Sequence, residues 1–259
     1  MKSYYLILFF SFCTIGFSQS FVFKDSIAVA NQSFKMIDTD LNNSLYLISE
    51  TKIEKRFQNK ASKIIDFKNV ITSVDATNPL RMYIYSNFNR LSILDEDLNP
   101  IQDPISIKSS DYIPTALKVI DNQFCWFYDM LANKLIYFNY QLQKAIVISR
   151  QVYLKNNDQA IEKIHSYKNF VYLKGEQTIY VYDDYGNFKY NFELATQNQP
   201  YYFYKNVLFY IQDNQLIKVD LTTKESVTLF PLRFIKSIAF NETNFYAYTG
   251  NQVYVYSVN

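Results

Sequence analysis

The chain has 259 residues, among them 24 Tyr and 22 Phe but only 4 Gly, 2 Cys, 1 Trp and 1 His. One His and two Cys leave no ordinary zinc site or thiol redox pair, and four scattered Gly leave no phosphate-binding or dinucleotide loop. A formal net charge of +2 gives no reason to expect a nucleic-acid partner, and 49% hydrophobic residues exclude a disordered tail.

Residues 1–18 read as a cleaved export signal. Lys2 supplies the positive end, and an apolar run follows from Tyr4 to Phe17. That run is shorter than the roughly 20 residues a spanning helix needs. Gly16 and Ser18 put small residues before a cut that leaves Gln19 first. Lipidation would have to use Cys13, but Phe12 stands where a lipobox wants a small residue. The remainder, 19–259, is expected to be one domain. It keeps Cys125 alone, so it has no internal disulfide and must be held by packing. The Asn, Lys, Ile and Tyr bias suits a bacterial exported protein. The expected address is the periplasm or outer surface of a Gram-negative-type cell, with no integral span in the mature chain.

A strand, Phe21 to Ile27, opens that domain, and a repeat then begins. Six apolar runs centre on Tyr46, Tyr83, Trp126, Tyr172, Tyr210 and Tyr246, spaced 36–46 residues apart. Each is preceded by a strand: these contain Lys35 to Ile37, Thr72 to Val74, Lys118 to Ile120, Lys163 to His165, Tyr202 to Tyr204 and Lys236 to Ile238. A polar turn follows each run, as at Asn87-Phe88-Asn89 and Asp213-Asn214-Gln215, where Asn and Asp stand in for scarce Gly. A second alternating run comes next, as at Ile179 to Tyr182, and then a weaker strand, as at Ala145 to Ile148. Each unit therefore reads as four short antiparallel strands. Unit one is the least regular. There, Lys63 to Asp66 has the pattern of an inner strand but the spacing of an outer one.

This organisation resembles the broad β-propeller class (NHL-like, YWTD-like and WD-repeat-like), with six blades. The last unit has only three strands before Asn259, and Phe21 to Ile27 would supply its missing outer strand and close the ring. A seven-bladed ring or a two-sheet sandwich is the competing all-β arrangement. No blade carries a Trp-Asp or Tyr-Trp-Thr-Asp motif, so no subfamily's function is implied.

Inner strands of a propeller border its axis, and the candidate chemistry is sought there. Lys35, Lys118, Lys163 and Lys236 share one slot in four inner strands, and Tyr202 fills it in another. Facing the axis, they would form a ring of ammonium groups for an anion or an acidic loop of a partner. Alternatively, their stems follow the blades and their heads meet water at a rim. Asp38, Asp75 and Asp121 fall three residues after their strand markers and are weak metal-ligand candidates, Asp being equally apt to begin a turn. His165 and Cys125 fit structural roles better than catalytic ones, so no catalytic residue is assigned. Tyr112, Tyr140, Tyr185 and Tyr201 lie in or beside expected loops and are candidates for a contact surface.

The function expected from these features is an exported, non-enzymatic platform in the cell envelope that binds another envelope protein and needs no cofactor. The alternative is a propeller enzyme or ligand-binding protein with a metal, anion or sugar at the axis. Neither the partner, nor the process, nor the oligomeric state is legible in the sequence.

Overall fold

The computed structural model describes residues 20–30, 33–57, 60–107, 111–155, 158–194 and 199–258, with Lys60 described by its backbone alone. The expected export signal lies outside the described residues. Those residues form 24 strands and six four-stranded antiparallel sheets arranged as the blades of a propeller. None of their helices is long and apolar enough to cross a membrane.

Blade 1 holds β2 (Met36–Thr39), β3 (Leu45–Ile48), β4 (Lys52–Phe57) and β5 (Lys60–Asp66). Blade 2 holds β6 (Ile71–Asp75), β7 (Met82–Ser86), β8 (Arg90–Leu94) and the two-residue β9 (Ile105–Ser106). Blade 3 holds β10 (Pro114–Val119), β11 (Phe124–Asp129), β12 (Lys134–Asn139) and β13 (Lys144–Gln151). In blade 4 the strands are β14 (Lys163–Tyr167), β15 (Phe170–Lys174), β16 (Thr178–Asp183) and β17 (Phe188–Glu193). Blade 5 has β18 (Tyr201–Tyr204), β19 (Val207–Gln212), β20 (Gln215–Asp220) and β21 (Ser226–Pro231). Blade 6 has β22 (Ser237–Phe240), β23 (Asn244–Tyr248) and β24 (Gln252–Val258), and β1 (Phe21–Ala28) is its outer strand.

The ring thus closes through the first strand. β1 pairs antiparallel with β24 from Phe21↔Val258 to Ala28↔Gln252. Phe21 also packs its ring against Phe230 of blade 5 and Phe245 of blade 6, at centroid distances of 5.2 and 5.7 Å. The irregular unit is settled too: Lys63 to Asp66 lies in the outer strand of blade 1.

The second strand of each blade is apolar on both faces because both faces are covered. In β11, Cys125 and Phe127 join the core shared with blade 2, while Trp126 and Tyr128 join the core shared with blade 4. In β3, Leu45 and Leu47 face blade 6 while Tyr46 and Ile48 face blade 2. The two-residue period of a strand thus sorts side chains between neighbouring seams. Together six such cores fill the seams between blades.

Antiparallel order fixes two rims. The turns after first and third strands leave on one side, and the turns after second and fourth strands leave on the other. Asn43, Asn87, Asn133, Asp213 and Asn214 hold positive φ in these turns, as scarce Gly requires. Phe88 and Phe234 do so as well, at φ 53° and 58°, which is costly for a bulky side chain.

Candidate functional site

The inner strands surround a cavity of about 480 Å³ along the axis. Its lining includes Asp38, Asp75, Lys118, Lys163, His165 and Tyr202. These six polar groups come from five blades.

Asp38, buried at the end of β2, is bonded on both oxygens. Tyr202 donates its hydroxyl to Oδ1 at 2.7 Å, reaching from blade 5. The Thr39 amide donates to the same oxygen at 2.9 Å, and the Ala76 amide of blade 2 donates to Oδ2 at 3.0 Å. Burial, followed by the neighbouring Asp75 charge, raises the Asp38 pKa. Asp75 responds in the opposite direction. Burial pushes its pKa up, but the Lys118 ammonium bonded to Oδ2 and the Thr77 hydroxyl at 2.6 Å from Oδ1 bring it well below the usual range. Lys163 extends from blade 4 toward blade 2 and meets the Val74 carbonyl at 3.5 Å. Burial lowers its pKa, opposed by the Asp38 and Asp75 charges.

His165 stacks on Phe203 with centroids 4.8 Å apart and planes 9° from parallel. Its Nε2 lies 2.7 Å from the Lys205 carbonyl oxygen. A carbonyl only accepts, so Nε2 carries the proton. Burial brings the pKa of this imidazole down to about 4, so it is neutral at pH 7. One more contact closes the inner ring: the Ile37 amide of blade 1 donates to Ser237 Oγ of blade 6 at 3.0 Å.

The shared slot of the four lysines does not produce one ring. Lys118 and Lys163 reach the axis. Lys35 is exposed and paired with exposed Glu50. Lys236 is exposed and lies over Gly250, where an added Cβ would stand 2.7 Å from Nζ. Of the three aspartates, Asp38 and Asp75 converge. Asp121 lies in the turn after β10 and accepts the Gln123 and Phe124 amides at 2.8 Å each. Among the described residues no group of three or more His, Cys, Asp or Glu could hold a metal. Cys125 is buried in a seam, where burial raises its thiol pKa.

The four loop tyrosines also separate. Tyr185 is 74% exposed. Tyr140 is fully buried and donates to the Asp121 carbonyl at 2.7 Å, so it has no face for a partner. Tyr112 packs edge-on to Phe127 at 5.6 Å, and Tyr201 lies half-buried beneath Lys174 at 5.2 Å.

The rim formed by turns after second and fourth strands carries a feature absent from the candidates above. Val70, Phe88, Ile113, Met130, Leu131 and Tyr153 are exposed there on blades 2 and 3. Backbone bonds tie them together. The Asn87 amide donates to the Val70 carbonyl at 3.0 Å, and the Met130 amide donates to the Ile113 carbonyl at 3.0 Å. The Tyr85 hydroxyl of blade 2 reaches the Pro114 carbonyl of blade 3 at 2.9 Å, joining the two halves of the arc. The only sequence signal was an apolar residue inside a polar turn, as in Asn87-Phe88-Asn89.

No family model matches the sequence, and no curated protein matches it. Solved structures do match in shape. Virginiamycin B lyase from Staphylococcus aureus superposes with TM-score 0.62 at 9% identity, over 93% of this chain and 99% of the lyase. BamB from Moraxella catarrhalis gives 0.55 at 7% identity, over 92% and 100%. PorZ, a bacterial surface component of the type-IX secretion system of Porphyromonas gingivalis, gives 0.56 at 10% identity, over 90% of this chain and 39% of PorZ. At these identities the likeness is one of fold: this chain is a six-bladed β-propeller.

Proposed function

We propose that the chain is an exported interaction platform of a bacterial cell envelope, and that it binds another envelope protein through the rim of blades 2 and 3. The observation that carries this reading is the apolar arc from Val70 to Tyr153. Leu131 and Tyr153 are 63% and 77% exposed, and Phe88 is held outward by a strained left-handed backbone. The opposite rim of the same blades also exposes Leu80, Ile120 and Leu142, so what singles out this arc is the left-handed Phe88 and the backbone bonds that tie its turns together. Strain at Phe88 points the same way, because a turn alone would be better served by Asn or Gly. The axis supports the reading from the other side: its two central carboxylates and its one imidazole N–H are engaged within the protein. A shape-neighbour, PorZ, is described as a bacterial surface component, which agrees with an envelope address.

The test combines capture from envelope fractions with rim variants. One bait carries Phe88→Asp with Leu131→Asp, and a second carries Leu142→Asp on the opposite rim. The expected result is a defined partner recovered by the wild type and by Leu142→Asp, and recovered at least about tenfold less by the double variant. Equal recovery by all three baits, or recovery of the bait alone, overturns the reading. Mass analysis of the secreted chain tests the address, with Gln19 expected as its first residue.

A further inference from the structure

The axial groups do not balance as hydrogen-bonding partners. The two central carboxylates are spent as acceptors: both oxygens of Asp38 and both of Asp75 are bonded within the protein, and Glu162, which also lines the cavity, is paired through Oε2 with Lys174. Donors remain. The Lys163 ammonium has three N–H groups, and its one hydrogen bond among the described residues is to Val74 at 3.5 Å, beyond the ordinary 2.7–3.2 Å range. Among the described residues no ion pair reaches it, whereas Lys118 on the neighbouring blade is engaged by Asp75. The hydroxyls of Thr72, Ser73 and Ser166 line the same cavity. The rings of Tyr83, Tyr201 and Tyr204 add flat walls that bury area and still offer a polar tip. The cavity, at about 480 Å³, falls within the range of small-molecule sites.

We infer that the axial channel binds a small organic monocarboxylate with a hydroxylated body, its carboxylate held by the Lys163 ammonium. A carboxylate accepts at two oxygens and donates at none, which complements a wall rich in unspent donors. The hydroxylated body meets the Thr72, Ser73 and Ser166 hydroxyls and lies along the tyrosine walls. Asp38 accommodates the added charge, since burial and Asp75 already press it toward its neutral form. This site is independent of the rim, so either can stand without the other.

The experiment is titration calorimetry of the purified chain with D-glucuronate and with D-glucose, which share a ring and differ at the carboxylate. Wild type binds glucuronate and binds glucose about tenfold or more weakly, the worth of one well-placed charge. Lys163→Gln reduces glucuronate to the level of glucose, and Lys163→Arg keeps the preference. No saturable binding of glucuronate by wild type, equal affinity for the two sugars, or full glucuronate affinity in Lys163→Gln overturns the inference. Should Lys163→Gln fail to fold, the selectivity of wild type and of Lys163→Arg decides it.

Discussion

The molecule has two kinds of interior, and they are built on different rules. The seams between blades are apolar, each filled by side chains from two neighbouring sheets. The axis adds polar groups, and bonds there reach across blades: Asp38 to Tyr202 and Ala76, Asp75 to Lys118, and Lys163 to Val74. A seam is non-directional, so many apolar residues of suitable size can fill it. The axis is directional, since each buried acceptor needs its own donor at bonding distance. The comparison teaches that seams hold the ring together while the axis sets how the inner strands face one another.

Substitutions in the two interiors can break that distinction. Phe127→Ala, which empties a fully buried position in the second strand of blade 3, is expected to cost the most, about 3–5 kcal/mol, read from denaturant unfolding. A loss under about 1 kcal/mol would mean that the seams are not what stabilises the fold.

Lys118→Met comes next, at about 1–3 kcal/mol near pH 7, because it leaves the partly shielded Asp75 charge without its bonded cation. Its pH dependence is diagnostic. Asp75 has a depressed folded pKa, so its pairing stabilises above the ordinary value of 3.8 and is lost as pH falls below it. The gap between wild type and Lys118→Met should therefore narrow below about pH 4. A constant gap would show that Lys118 acts by packing alone.

Tyr202→Phe should cost about 1 kcal/mol by removing one of the donors to Asp38. An unchanged unfolding midpoint would show that this cross-channel bond does not contribute.

His165 gives the smallest effect at neutral pH. Its folded pKa of about 4 lies below the ordinary 6.5, so the unfolded chain binds the proton first. Stability is then lost as pH falls from about 6.5 to about 4, and no such cost exists at pH 7. His165→Gln keeps a donor for the Lys205 carbonyl and should remove that part of the slope. A slope unchanged in His165→Gln would assign it to other groups.

The two interiors also differ in how far the sequence discloses them. The seams were legible: the runs centred on Tyr46, Trp126 and Tyr246 all became second strands, because alternation within one short segment decides which seam a side chain enters. The axis was legible only in part. Lys35, Lys118, Lys163 and Lys236 share a slot in the sequence repeat, yet Lys118 is the fifth residue of β10, Lys163 the first of β14, and Lys35 and Lys236 precede their strands. Strand starts follow from packing against neighbouring blades, and no local spacing encodes them. The Asp38–Tyr202 bond joins residues far apart in the chain, and neither position hints at the other. The rim arc was hidden for another reason: six apolar residues scattered along the chain share one rim only once the blades stand side by side.

The outer strand of blade 6 carries a consequence for assembly. Of the 24 described strands β1 is made first and its partner β24 last, so the pairing that closes the ring forms only after the other strands have been made. Until then both strands present unpaired edges, and a β1 from a neighbouring molecule can serve as well as the chain's own. Ring closure thus competes with strand exchange between copies, and the balance shifts with concentration. Refolding at rising protein concentration should yield an increasing share of exchanged dimers; monomer alone at every concentration would show that β1 is captured by its own blade before a second chain arrives.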